Sequence, residues 1–155
     1  GVATVVAQNI GAKNYERANE TLKIGVTIMA AISICLTVLV LFTGEYLLTM
    51  FGLTRESVQI GNSFFRAIAS CYIIYGLSMT LRGYLEGTGD MIFSGIAGFV
   101  SLIVRIVASY MFAGRFGNMV VAYAEAFSWV VLLSLYIIRF LKIRRITAIN
   151  QRNSA

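Results

Sequence analysis

The sequence has few of the charged residues on which water-soluble folds depend. Charged residues make up 13% of its 155 residues and hydrophobic ones 58%, and the mean hydropathy is +0.78. An ordinary soluble domain carries about 25% charged residues. A soluble chain of this size has too much surface to hide so much apolar side chain. The composition therefore indicates an integral membrane protein and excludes a disordered one.

Histidine and proline are absent, and the two cysteines, Cys35 and Cys71, lie far apart in apolar segments. A zinc site or a disulfide framework is therefore not expected, and no cofactor is predicted. No set of histidine, cysteine and acidic residues is arranged to activate a nucleophile, so the chain is predicted not to be an enzyme. Without proline, a helix kink would have to come from glycines such as Gly76, Gly95 and Gly98.

Four long apolar runs are present, and each is long enough to cross the roughly 30 Å hydrocarbon core of a bilayer as a helix. The predicted spans are residues 22–48, 56–81, 90–113 and 117–140. The connections are short, so neighbouring spans are expected to be antiparallel. The predicted fold is all-α, with about four transmembrane helices after the end of an earlier helix at Gly1–Gln8. Because no initiator methionine precedes that segment, the chain is interpreted as a fragment.

Polar residues mark the starts of two of these spans. Thr54 is predicted to cap the second helix, and Asp90, after Gly89, is predicted to cap the third. The side chain of an N-cap residue accepts a hydrogen bond from a free backbone N–H of the first turn. These residues therefore indicate where the two helices begin.

Lysine and arginine are distributed unevenly between the two sides of the predicted membrane. Nine lie on one side and two, Arg55 and Arg115, on the other. Basic residues favour the cytoplasmic side, so the segment 146–155 is predicted to be a basic, polar, cytoplasmic tail of a multi-pass protein of the plasma membrane. Because the basic residues flank apolar runs, nucleic acid is not an expected partner. The nine are Lys13, Arg17, Lys23, Arg82, Arg139, Lys142, Arg144, Arg145 and Arg152.

Three charged residues fall inside the apolar runs: Arg66, Arg105 and Glu125. At about 1.5 Å per helical residue, all three reach a similar depth in one half of the bilayer. Charges in lipid are costly and usually face a partner or a solute path. We expect an ion pair between Arg105 and Glu125, with Arg66 nearby or in a water-filled cavity. The alternatives are that the pair only fixes helix register and that Arg66 only extends to the membrane interface.

Aromatic residues in or near the spans include Tyr72, Tyr75 and Trp129. Such rings can stack on a flat organic cation, although packing or anchoring at the membrane interface is the simpler interpretation of each ring. The candidate residues of a substrate or cation path are Glu125, Arg105, Arg66, Tyr72 and Tyr75.

Several motifs resemble the multidrug and toxin extrusion (MATE) family. Gln8–Asn14 resembles the loop after the second helix of a lobe in that family, and Met50–Gly52 resembles the next landmark. The segments Leu81–Asp90 and Ala122–Trp129, together with Arg105, continue the resemblance in the same order. It covers roughly residues 1–145.

The resemblance implies twelve helices in two lobes, of which this chain would be part of the second, C-terminal one. Arg105 carries the lobe assignment, because an arginine in the eleventh helix is typical of that lobe. The missing N-terminal lobe, the lipid bilayer and small organic solutes would then be the partners. The family exports organic, often cationic, compounds in exchange for Na⁺ or H⁺ by alternating access.

The sequence departs from one branch of the family, which places an aspartate in the tenth helix. The matching position is near Cys71, and no acid lies between Ser57 and Leu81. Glu125 is therefore the candidate coupling acid. Two alternative functions are a lipid-linked oligosaccharide flippase of a related superfamily and a non-transporting scaffold or channel subunit.

Overall fold

The computed structural model describes the backbone of residues 1–153 and the side chains of residues 1–145. The regular secondary structure of this part is helical throughout, which confirms the predicted all-α class, and the side chains of the predicted tail, 146–155, lie outside the described residues. Gly117–Met119 form one 3-10 turn. The helices are α1 (Val2–Gly11), α2 (Tyr15–Met50), α3 (Arg55–Ala69), α4 (Tyr72–Gly87), α5 (Met91–Phe116) and α6 (Val120–Asn153).

In the part of the chain that the structure describes, two helical stretches are long and apolar enough to cross a membrane, namely Tyr15–Met50 and Met91–Arg145. The bent pair of α3 and α4 would make a third if it counts as one span. Helix α2 has 36 residues. It is therefore about 54 Å long and exceeds the hydrocarbon thickness of about 30 Å. The predicted span 22–48 thus lies within a longer helix.

The apolar stretch Met91–Arg145 reverses direction at Gly117, whose φ of +52° lies in the left-handed region that favours glycine. The hydroxyl of Ser101 on α5 donates a hydrogen bond to the carbonyl of Ser128 on α6. Tyr136, which follows Ser128 on α6, donates to the carbonyl of Ser94, which precedes Ser101 on α5. These contacts require α5 and α6 to be antiparallel. The stretch is therefore a hairpin of two helices.

The predicted second span, 56–81, is wrong as a single helix. Helices α3 and α4 meet at 48° across a break, and the break lies at Ser70 and Cys71. No glycine causes it. The Ser70 hydroxyl donates to the carbonyl of Ala67 at 2.7 Å, and the hydroxyl of Thr37 on α2 donates to the carbonyl of Ala69, also at 2.7 Å. Side-chain hydroxyls thus satisfy carbonyls at the break, which is how broken helices are tolerated in lipid.

Of the two helix caps considered, Thr54 and Asp90, one makes the predicted side-chain hydrogen bond. The Oγ1 atom of Thr54 accepts a hydrogen bond from the backbone N–H of Ser57 at 3.3 Å, which confirms Thr54 as the cap of α3. Asp90 stands at the N-cap position of α5, but its side chain makes no capping hydrogen bond. Its carboxylate binds Arg139 on α6 instead, so the predicted capping role of its side chain is wrong.

The tightest packing surrounds α4, which lies among α1, α2 and α6 and has its C-terminal part buried. A Cβ built on Gly76 would lie 2.5 Å from the Oγ atom of Ser33 on α2. A Cβ on Gly87 would lie 2.7 Å from both the carbonyl oxygen of Ala3 and the Cβ of Val6 on α1. Glycine therefore allows close helix approach at both positions, and Gly76 serves contact with α2 rather than a kink.

We predict that Gly87→Ala destabilises the protein by about 1–3 kcal/mol, because the added methyl group overlaps backbone that cannot move freely. Thermal unfolding in detergent measures the effect. Gly95→Ala is the matched control, since a Cβ there meets no atom within 4 Å. Equal melting temperatures for the two variants would contradict the packing of α1 against α4.

Candidate functional site

Arg105 and Glu125 form the ion pair that the sequence predicts. Arg105 lies on α5 and Glu125 on α6, and the antiparallel hairpin places them opposite each other. The Nη1 atom of Arg105 donates to Oε2 of Glu125. The Glu125 side chain is 18% exposed and that of Arg105 37% exposed. The pair is therefore partly shielded within the seam between the two helices.

Hydroxyl groups hold the same seam together beside the pair. The Ser101 hydroxyl on α5 donates to the carbonyl of Ser128 at 3.0 Å, and the Ser128 hydroxyl donates to the carbonyl of Glu125 at 2.7 Å. The phenol of the buried Tyr136 donates to the carbonyl of Ser94 at 3.2 Å. These contacts fix the register of α6 on α5 and hence the position of Glu125.

The role of these serines was not predicted, although the sequence contains a signal for the α5 face that carries them. Ser94, Ser101 and Ala108 recur every seven residues, and all three are buried. A seven-residue repeat places side chains on one face of a helix. Small residues on that face mark the side of α5 that lies against α6.

Tyr72 and Tyr75 both contact Trp129. Their ring centroids lie 6.3 Å and 4.9 Å from that of Trp129, with tilted planes. Trp129 follows Glu125 by four residues on α6, so the two side chains project from the same face. The structure thus brings both candidate tyrosines into an aromatic cluster one helical turn from the acid.

Arg66 is the candidate residue that has no polar contact with the ion pair. It lies on α3 and is exposed. Among the described residues, it forms no hydrogen bond or ion pair with Arg105, Glu125 or any other side chain. The structure therefore shows no polar contact between Arg66 and the Arg105–Glu125 pair among the described residues.

A second polar cluster lies at the junction of α4 and α5 and was not predicted. Arg139 on α6 donates to both carboxylate oxygens of Asp90, at 2.5 Å and 3.2 Å. Its guanidinium also lies 5.0 Å from the centroid of the Phe93 ring. Glu86 on α4 accepts bonds from Arg82 at 2.7 Å and from Ser94 at 2.9 Å. This cluster ties the start of α5 to both α4 and α6.

Neither cluster resembles a metal or nucleophile site. Within the described part of the chain, no group of three or more histidine, cysteine, aspartate or glutamate side chains could hold a metal ion. What the seam offers chemically is one carboxylate held by one guanidinium between apolar helices. Such a carboxylate can exchange its partner for a proton or a cation.

Comparison with known proteins agrees with the architecture. The chain superimposes, with a TM-score of 0.82 and 22% sequence identity, on an inward-facing conformation of a multidrug resistance MATE family transporter of the MOP superfamily. The match covers 88% of this chain and 31% of that one, so this chain spans under a third of the transporter's length. At this identity the match establishes the fold. No curated protein matches the chain.

The MatE family model matches residues 1–111, more than half of the 155 residues. The match ends near the end of α5, so Glu125 and the rest of α6 lie outside the matched residues. Arg105 lies within the matched part. The chain belongs to the MatE family, whose members are membrane transporters and not enzymes.

Proposed function

We propose that this chain is part of a secondary active exporter that carries organic, often cationic, compounds outward in exchange for Na⁺ or H⁺. The observation that carries the proposal is the Arg105–Glu125 pair, held between apolar helices of a MatE family chain. A charge inside a membrane protein is costly and is usually retained at a solute or ion pathway. Glu125 is the acid that we assign to coupling.

The geometry supports a simple exchange at Glu125. While Arg105 donates to the carboxylate, the site is neutral overall. A proton or a cation that binds the carboxylate competes with Arg105 and leaves the guanidinium without its partner. An unpaired arginine in an apolar seam is unfavourable, so binding favours a rearrangement of α5 against α6. That rearrangement would bias the alternating-access equilibrium, because a ligand shifts populations only through its different affinities for the two states.

The aromatic cluster supports an organic cation as the transported species. Trp129 and Tyr75 lie with ring centroids 4.9 Å apart, and Tyr75 is 41% exposed. Aromatic faces attract cations within about 6 Å of the ring centroid. The cluster lies one turn from Glu125, so a bound cation and the coupling ion would compete for the same carboxylate.

We infer four membrane crossings for this chain: α2, the bent pair α3 and α4, α5, and α6. The reversal at Gly117 supports counting the hairpin as two crossings. The charge distribution supports a cytoplasmic C-terminus, and the resemblance at Arg105 supports assignment to the second of two lobes. The opposing lobe would supply the other wall of the transport cavity.

We predict that Glu125→Gln in the full-length protein lowers export of an ethidium-like dye at least about tenfold, which corresponds to about 1.4 kcal/mol. The glutamine keeps the shape of the side chain but cannot exchange a proton or bind a cation through its charge. Dye export from cells with a defined pH or Na⁺ gradient measures the effect, at matched expression.

Glu45→Gln is the matched control, because Glu45 is exposed near the end of α2, and its export should equal the wild-type rate. Wild-type export by Glu125→Gln, with unchanged dependence on pH and Na⁺, would remove Glu125 from the mechanism and leave the pair a role in assembly alone.

The orientation makes a separate prediction. In a protein from which Cys35 and Cys71 have been removed, a membrane-impermeant maleimide should label Asn118→Cys in intact cells and Lys142→Cys only after permeabilisation. Both residues are exposed, so labelling reports the side of the membrane. The reverse pattern would contradict the charge argument for a cytoplasmic C-terminus.

A further inference from the structure

An apolar groove runs between α5 and α6 near the Gly117 turn. One cavity of about 420 Å³ has small residues, Ala108 and Ala124, among its lining side chains and aromatic ones around them. A second cavity of about 290 Å³ shares Ala108, Phe112 and Phe127 with the first. The two therefore form one continuous depression, which we name the hairpin groove.

The lining of the hairpin groove suits a hydrocarbon chain rather than a hydrophilic solute. Apart from the phenol of Tyr123, every side chain that lines it is apolar. Phe116 contacts Phe112 and Tyr123, with ring centroids 6.1 Å and 5.1 Å away, so three rings form a continuous wall. Ligand pockets typically measure about 300–1,000 Å³ and are mostly apolar, and the larger cavity falls in this range.

A cation marks one end of the hairpin groove. Arg115 lies on α5 four residues after Met111 and seven after Ala108, which places it on the face that lines the groove. Its side chain is exposed. Among the described residues, no other group forms a hydrogen bond or an ion pair with the side chain of Arg115. The groove thus combines a long apolar surface with one free guanidinium at the end of a membrane helix.

We propose that the hairpin groove binds one acyl chain of a membrane phospholipid whose phosphate pairs with Arg115. A phospholipid offers a hydrocarbon chain and an anion at one end, which is the arrangement that the groove and Arg115 complement. Guanidinium groups bind phosphate through charge-assisted hydrogen bonds. The inference requires that the hairpin lies in lipid, and it does not depend on the substrate or the coupling ion.

Photocrosslinking tests this proposal in the full-length protein, reconstituted in nanodiscs of phosphatidylethanolamine and phosphatidylglycerol. A small fraction of the phosphatidylglycerol carries a diazirine in one acyl chain, and mass spectrometry locates the adducts. We expect adducts to concentrate on groove residues such as Phe112, Val120 and Phe127. Arg115→Gln should lower their yield about fivefold, the effect typical of one basic residue near an anionic lipid surface.

Matched variants separate the charge from the groove. Arg55→Gln removes another exposed arginine and should leave the yield unchanged. Ala124→Leu fills the groove and should lower the yield, whereas Ala126→Leu adds the same volume outside its lining and should not. If Ala124→Leu unfolds in a thermal melt, the comparison of Arg115→Gln with Arg55→Gln decides alone.

Two outcomes would overturn the proposal. Adducts spread evenly over the exposed apolar residues of α2 and α5, with no effect of Arg115→Gln, would show that only bulk lipid surrounds the hairpin. Crosslinks from an engineered photoreactive residue at position 112 to another protein segment or to a second copy would show that protein, not lipid, covers the groove.

Discussion

Every polar group inside an apolar helix hairpin must find its partner within the protein, because hydrocarbon offers none. This constraint explains the contacts between α5 and α6. Arg105 binds Glu125, Ser101 binds the carbonyl of Ser128, and Tyr136 binds the carbonyl of Ser94. Among the described side chains, no buried nitrogen or oxygen atom lacks a hydrogen-bond partner. The seam is therefore specified by polar matching as well as by packing.

The hairpin has two ends with different properties. At the α4–α5 junction, Asp90, Glu86 and Arg139 form a polar cluster, and the buried Leu85 and Tyr136 pack beside it. At the Gly117 end, the two helices leave an apolar groove. The ion pair of Arg105 and Glu125 lies between these ends. The pair therefore lies between an end of the hairpin that polar contacts tie to α4 and an end that is bordered by an apolar groove.

The sequence predicts most of this fold because its physical signals are local. Long apolar runs specify membrane helices, and Thr54 caps α3 through contacts within one turn. The Arg105–Glu125 pair was predictable because charges inside the runs are few and an antiparallel hairpin leaves little choice of partner. In each case, residues close in sequence or in hairpin register decide the outcome.

Features that depend on distant side chains could not be predicted. The break at Ser70 and Cys71 requires the hydroxyl of Thr37 from another helix, and nothing within 56–81 indicates that contact. Asp90 has the sequence position of a helix cap, but the guanidinium of Arg139, 49 residues away, binds its carboxylate. The hairpin groove likewise depends on how α5 and α6 pack near their turn, which side-chain spacing alone does not determine.

The most direct test of the polar matching across this seam is a double-mutant cycle with Arg105→Gln, Glu125→Gln and the double variant. The free energy of unfolding of the full-length protein is measured in bicelles at one pH. Each single variant should be destabilised, and the double variant should be more stable than the sum of the two losses predicts, by about 0.6–1.7 kcal/mol. Strictly additive losses would show that Arg105 and Glu125 do not stabilise the seam together and would contradict the account.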